Sequence, residues 1–82
     1  METITITSKK GTTYQISNIR QRFDKTFSAN AEVVGVSGMK LPDIFLYFDE
    51  QKKLVDYGGI PRLPEGVLRV TKKAGFIVPS RF

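Results

Sequence analysis

No apolar run in this chain exceeds five residues, and turn-forming residues interrupt the sequence at short intervals. The longest such run is IFLYF, Ile44 to Phe48. A bilayer span needs about 20 residues, so nothing here reads as a transmembrane segment. Short runs between turn signals point instead to strands joined by hairpins.

The first hairpin is the most legible. In ETITITS, Glu2 to Ser8, threonine and isoleucine alternate with period two. Such β-branched alternation predicts a half-buried strand, with Ile4 and Ile6 inward and Thr3, Thr5 and Thr7 outward. SKKGTT supplies the turn, where Gly11 can adopt positive φ. TYQIS then resumes the alternation through Tyr14 and Ile16.

The segment NIRQRFDKTF admits two readings. Ile19, Phe23 and Phe27 fall at helical spacing, and Asn18 followed by Gln21 can form a capping box. The same three residues share a parity, so a strand also places them on one face. A short helix over 18–27 and a strand both remain open.

AEVVGVSG reads as a strand ending at Gly38, broken by KLPD. DIFLYFDEQKKLVDYGG predicts an aromatic-rich strand, a polar turn over Asp49 to Lys52 and a return strand from Lys53 to Tyr57. Pro61 and Pro64 mark an extended connection. VLRVT, the turn KKAG and FIVP read as a last hairpin ended by Pro79. The expected fold is therefore one β-rich domain over 1–82, all-β or α+β. About five to six antiparallel strands would form a small barrel or sandwich.

Eighty-two residues suffice for one small core, and with no cysteine it has neither disulfides nor thiolate metal sites. Histidine is absent too, which removes the usual general base and the commonest metal ligand. Asp49 and Glu50 are adjacent on a turn and would diverge, and no phosphate-cradling glycine loop is present. The expectation is a non-catalytic protein with no cofactor and no metal. METITITSKK lacks the layout of a signal peptide, which leaves a cytoplasmic protein without a membrane partner as the expectation.

The net charge is +5, distributed unevenly. Residues 42–65 carry five acids (Asp43, Asp49, Glu50, Asp56, Glu65) against Lys52, Lys53 and Arg62. Residues 66–82 carry Arg69, Lys72, Lys73 and Arg81 and no acid. Lysine in a turn can contact phosphate as a mobile point charge, although turns commonly carry lysine for solubility alone. Lys52–Lys53 is nearly cancelled by Asp49 and Glu50. Lys9–Lys10 and Lys72–Lys73 have no such neighbours, and they form one face only if the first and last hairpins meet.

Arg20, Arg22 and Lys25 form the polar side of their segment in either reading. The candidate phosphate contacts are thus Lys9, Lys10, Arg20, Arg22, Lys25, Arg69, Lys72, Lys73 and Arg81. Phe45 and Tyr47 share one strand face, and an exposed aromatic on a basic sheet can stack unpaired bases. Tyr47, Tyr57 and Phe82 are the aromatics to watch for exposure, most of the aromatics being expected in the core. Two functions fit. One is a small basic module contacting nucleic acid. The other is a protein-binding accessory or inhibitor, of the kind phages and plasmids encode, that occludes a partner's surface. An exposed edge strand, ETITITS or FIVPS, would also allow dimerisation.

Overall fold

Four hairpin turns of one geometry organise the chain in the computed structural model, which describes residues 3–82. After β1 (Ile4–Thr7), the Gly11 amide donates to the Ser8 carbonyl at 2.9 Å and the Ser8 amide donates to the Thr12 carbonyl at 2.8 Å. The same pair of bonds closes Arg22–Thr26, Gly35–Met39 and Asp49–Lys53. In each turn the fourth residue has positive φ: Gly11 at 89°, Lys25 at 70°, Gly38 at 84° and Lys52 at 67°. That left-handed residue matches the twist of the flanking strands.

Glycine takes the position without steric cost, whereas lysine does not. The two lysine turns are tied by aspartates instead. Asp24 Oδ1 accepts from the Thr26 amide and hydroxyl. Asp49 Oδ1 accepts from the Gln51 and Lys53 amides, both at 2.9 Å. The positive-φ positions recur every 13 or 14 residues, a structural repeat with no repeated sequence.

These turns join β2 (Thr13–Gln21), β3 (Phe27–Val34), β4 (Ile44–Phe48) and β5 (Leu54–Gly58) to β1 in one antiparallel sheet, ordered β1-β2-β3-β4-β5. The sheet is open rather than closed into a barrel or doubled into a sandwich. One helix, α1 (Glu65–Lys73), packs on its β1–β3 side. Glu2, at the head of the alternating stretch, lies outside the described residues.

The alternative of a helix over 18–27 is corrected: this segment is the end of β2 and the turn after it. Asp24 satisfies local amides in a way that competes with helix formation. Ile19 and Phe27 do pack against the core, but Phe23 stands at the turn tip, fully exposed.

Two bulges explain which side chains face inward. Ser17 pairs with Asn30 and Arg20 with Ser28, so Asn18 and Ile19 together oppose Ala29. Asn18, at φ 53°, absorbs the extra residue, as asparagine tolerates the left-handed region. Ile16 and Ile19, three apart, can then both join the core. On β5 a register shift at Val55 does the same for Leu54 and Tyr57. The inner face carries Ile16, Ala29, Ala31, Val33, Ile44, Leu46, Phe48 and Leu54, each buried.

The expected last hairpin over 67–79 is also corrected. Residues 65–73 are helical because Val67, Val70 and Thr71 fall at i, i+3 and i+4 and are all fully buried on the sheet. Thr71 Oγ1 donates to the Val67 carbonyl at 2.7 Å, which satisfies its buried hydroxyl. KKAG is the helix end, not a hairpin turn. The Phe76 amide donates to the Thr71 carbonyl at 3.2 Å and the Gly75 amide to the Lys72 carbonyl at 3.0 Å. That pairing is a Schellman motif, with Gly75 at φ 96°. Glu65 in the first turn and Lys72 and Lys73 in the last complement the helix dipole.

Beyond the cap, Phe76 stacks on Phe48 with centroids 3.9 Å apart and meets Phe27 edge-on at 6.3 Å. The Ile77 amide donates to the Lys52 carbonyl and the Ile77 carbonyl accepts from Leu54, so the tail covers the start of the β5 edge. At the opposite edge, Lys73 Nζ approaches the Thr5 carbonyl at 3.5 Å, placing a charge against unpaired backbone.

The helix start is fitted closely to β2. A Cβ at Gly66 would lie 2.3 Å from the Tyr14 ring. Gly66→Ala is therefore expected to lower stability by about 1–3 kcal/mol, the usual range for overpacking. Urea unfolding measures it. Tyr14→Leu in the same chain should recover part of the loss, because a smaller side chain vacates the space.

Candidate nucleic-acid interface

Among the described residues, no element covers the face opposite α1. Strict alternation and the strand register assemble it in rows. One row runs Arg20, Ser28, Tyr47, Asp56 across β2 to β5. The next runs Ser17, Asn30, Phe45, Gly58. Beyond it lie Thr5, Gln15 and Glu32 on β1 to β3.

Phe45 and Tyr47 project outward because Ile44, Leu46 and Phe48 point into the core. Gly58 opposite Phe45 has no side chain to cover that ring, while Gly59 approaches the ring edge. Phe45 is 41% exposed and Tyr47 36%, a large accessible area for aromatics that could have been buried. Around them the face offers amides and hydroxyls from Asn30, Ser17 and Ser28. Arg20, two strands from Tyr47, lies about 10 Å away at the usual interstrand spacing.

The charge on this face is mixed but partly neutralised. Lys40 Nζ binds Glu32 Oε1 at 3.0 Å and Asp43 Oδ1 at 3.7 Å. The Glu32 hydrogen bond and charge, with a smaller contribution from Asp43, hold the Lys40 ammonium above its ordinary pKa. Asp56 remains beside Tyr47, and its Oδ1 accepts from the Tyr57 amide at 2.8 Å.

The basic candidates fall into separate groups. Arg20 and Arg22 line a hollow of about 380 Å³ with Gln21, Phe23 and Ser28. Lys25 sits in the turn beside it. Lys9 and Lys10 line a cleft of about 520 Å³ with Thr7, Ser8, Thr12, Tyr14 and Arg69. Lys73 reaches the neighbouring β1 edge, and Lys72 is exposed on the last helical turn. The two lysine segments at the chain's ends thus do approach each other, through a helix rather than a second hairpin. The Lys9–Lys10 turn lies at the end of β2 opposite Arg20 and Arg22, separated by about 25 Å of strand, whereas Lys73 stands beside Thr5, level with Gln15 part-way along it.

Arg81 belongs to a third hollow with Arg62, Tyr57 and Phe82. There the aromatics pack rather than project. Tyr57 and Phe82 meet edge-on at 6.1 Å, and the Tyr57 hydroxyl donates to the Pro61 carbonyl at 3.0 Å. Tyr57 pairs with Leu46 and so lies on the inner side, not across from Phe45 and Tyr47 on the outer one. Of the three aromatics singled out from sequence, Tyr47 is the one on the open face. Phe23 escaped notice because helix and strand readings both placed it with Ile19 and Phe27. Its neighbour Asp24, a turn former, was the available signal.

The Asp24 carboxylate is held below its ordinary pKa of 3.8, chiefly by the Thr26 hydroxyl and then by the Thr26 amide, with Arg22 adding attraction. A depressed carboxylate stabilises above its unfolded pKa and loses that contribution as pH falls through the lowered folded value. The Thr26 amide proton signal is therefore expected to titrate with a midpoint below 3.8, and Asp24→Asn should abolish the titration.

Among the described residues, no group of three or more acidic, histidine or cysteine side chains is placed to hold a metal ion. No helix among them is long and apolar enough to cross a membrane. No family model matches this chain, and no curated protein or solved structure matches it either.

Proposed function

We propose that this protein is a non-catalytic module that binds single-stranded nucleic acid on its open sheet face. The observation that carries the reading is the pair Phe45 and Tyr47, exposed side by side on an uncovered face in register with Arg20. Bases stack on the rings, whose faces accept any base. Arg20, Arg22 and Lys25 contact phosphates at one end, the Lys9–Lys10 turn extends the positive field at the other, and Arg69, Lys72 and Lys73 on the helix side add to the long-range field alone. Duplex suits this face less well, because paired bases do not offer their flat sides to a sheet.

The test is fluorescence anisotropy with a labelled 12-nucleotide strand and its duplex, at 50 and 200 mM salt. With about four phosphates contacted, single-strand affinity should fall about fiftyfold between the two concentrations. Absence of single-strand binding at 50 mM salt would sink the reading. Asp56→Asn removes the carboxylate beside Tyr47 and is expected to tighten binding by about threefold at low salt, through local field alone.

The second reading, a protein-binding accessory, is favoured by a different surface. Val36, Met39 and Leu41 are exposed at the β3–β4 turn. A stoichiometric protein partner retained after nuclease treatment, and lost in Val36→Ser with Met39→Ser, would support it over the first.

A further inference from the structure

We infer that the hollow beside the β2–β3 turn is a subsite for one unpaired nucleobase, with Phe23 as its stacking surface and Arg20 and Arg22 as its phosphate contacts. This rests on the single-strand reading above and extends it to a place the open face does not include.

Three observations carry it. Phe23 is the most exposed large apolar side chain among the described residues, although it sits in a turn whose shape is fixed rather than loose. The Arg22–Thr26 bonds close that turn, and Asp24 ties it again through Thr26. The ring is thus offered to solvent from a preorganised base, which lowers the ordering cost of binding.

The surroundings are cationic. Arg20, Arg22 and Lys25 stand against one carboxylate, Asp24, whose oxygen is already engaged by Thr26. An apolar protein anchor would call for apolar neighbours, whereas an aromatic face flanked by guanidinium groups matches a base with its phosphate. Finally, the hollow is continuous with the proposed face. Arg20 and Ser28 line it and also occupy the row that contains Tyr47. A strand lying over Tyr47 can therefore place its next exposed base against Phe23 without leaving the protein surface.

The chain contains no tryptophan, so a single introduced indole reports its own site. Phe23→Trp and, separately, Tyr47→Trp are titrated with unlabelled oligo-dT and with phosphatidylserine–phosphatidylcholine vesicles, and Phe23→Ala is tested by anisotropy. The subsite predicts quenching by oligo-dT in both tryptophan variants and about a tenfold affinity loss in Phe23→Ala. Quenching in Tyr47→Trp alone, with Phe23→Ala binding normally, overturns the subsite and leaves the open-face reading standing. No response of either variant to oligo-dT, with none by anisotropy, overturns both. A blue shift of Phe23→Trp on vesicles without quenching by oligo-dT assigns the tip to a membrane surface and overturns the subsite. Each variant changes a fully or substantially exposed side chain, and circular dichroism checks that the fold is retained.

Discussion

Replacing Phe45 and Tyr47 together by alanine is expected to weaken single-strand binding by at least about thirtyfold, with the fold intact. Base–aromatic stacking contributes roughly 1–3 kcal/mol per base, and two platforms are removed at once. Both side chains point away from the core built by Ile44, Leu46 and Phe48, so unfolding should change by only about 1 kcal/mol, from lost cross-strand pairing. The salt dependence separates this loss from an electrostatic one. Stacking neutralises no phosphate, so the slope of log affinity against log salt should stay as in the unaltered chain. Arg20→Ala with Arg22→Ala should do the reverse, reducing the slope by about 1.4 for two phosphates on a single strand. A double aromatic variant that binds normally would remove the sheet face from the account.

The second large effect concerns the fold. Phe76→Ala is expected to cost about 3–5 kcal/mol, the usual range for a buried phenylalanine. Phe76 is 6% exposed, stacked on Phe48 and edge-on to Phe27. It also follows the Schellman cap, so its burial secures the helix end and the tail that bonds to β5 through Ile77. Small domains have a total stability of about 5–15 kcal/mol, so the loss is a large share of it. Urea unfolding followed by circular dichroism measures it, and Phe76→Leu should recover part. A loss under about 1 kcal/mol would mean that the tail contributes little to the core.

How far the sequence foretells all this depends on where each element's information lies. The β1–β2 hairpin is legible because its signals are local: alternating Thr and Ile, then Gly11 in the turn. β4 and β5 are legible for the same reason, with Asp49 fastening the turn that the polar stretch announces. The helix is not. Val67, Val70 and Thr71 are β-branched and favour strand locally, and only burial against the sheet decides otherwise. Its local traces are slight, namely Glu65 at one end and Lys72, Lys73 and Gly75 at the other.

The bulge at Asn18 hides the parity linking Ile16 to Ile19, and the turn at Arg22–Thr26 takes Phe23 out of the stripe that its spacing from Ile19 and Phe27 suggests. The site divides in the same way. Phe45 and Tyr47 follow from alternation along a single strand. The packing of Tyr57 against Phe82 needs the tail to return across the molecule, a non-local event that composition and spacing do not encode. The approach of Lys9, Lys10 and Arg69 likewise depends on where the helix docks.

On the proposed reading, nucleic acid is expected on the uncovered face of the sheet and not on the helix side. Aromatic-ring NMR signals of the isotope-labelled protein, titrated with oligo-dT at 50 mM salt, test it most directly. Progressive shifts are expected in Phe45 and Tyr47, with Phe48 and Phe76 nearly unmoved. Unmoved Phe45 and Tyr47 signals, with shifts confined to Tyr14 beside the Lys9–Lys10–Arg69 cleft, would contradict it.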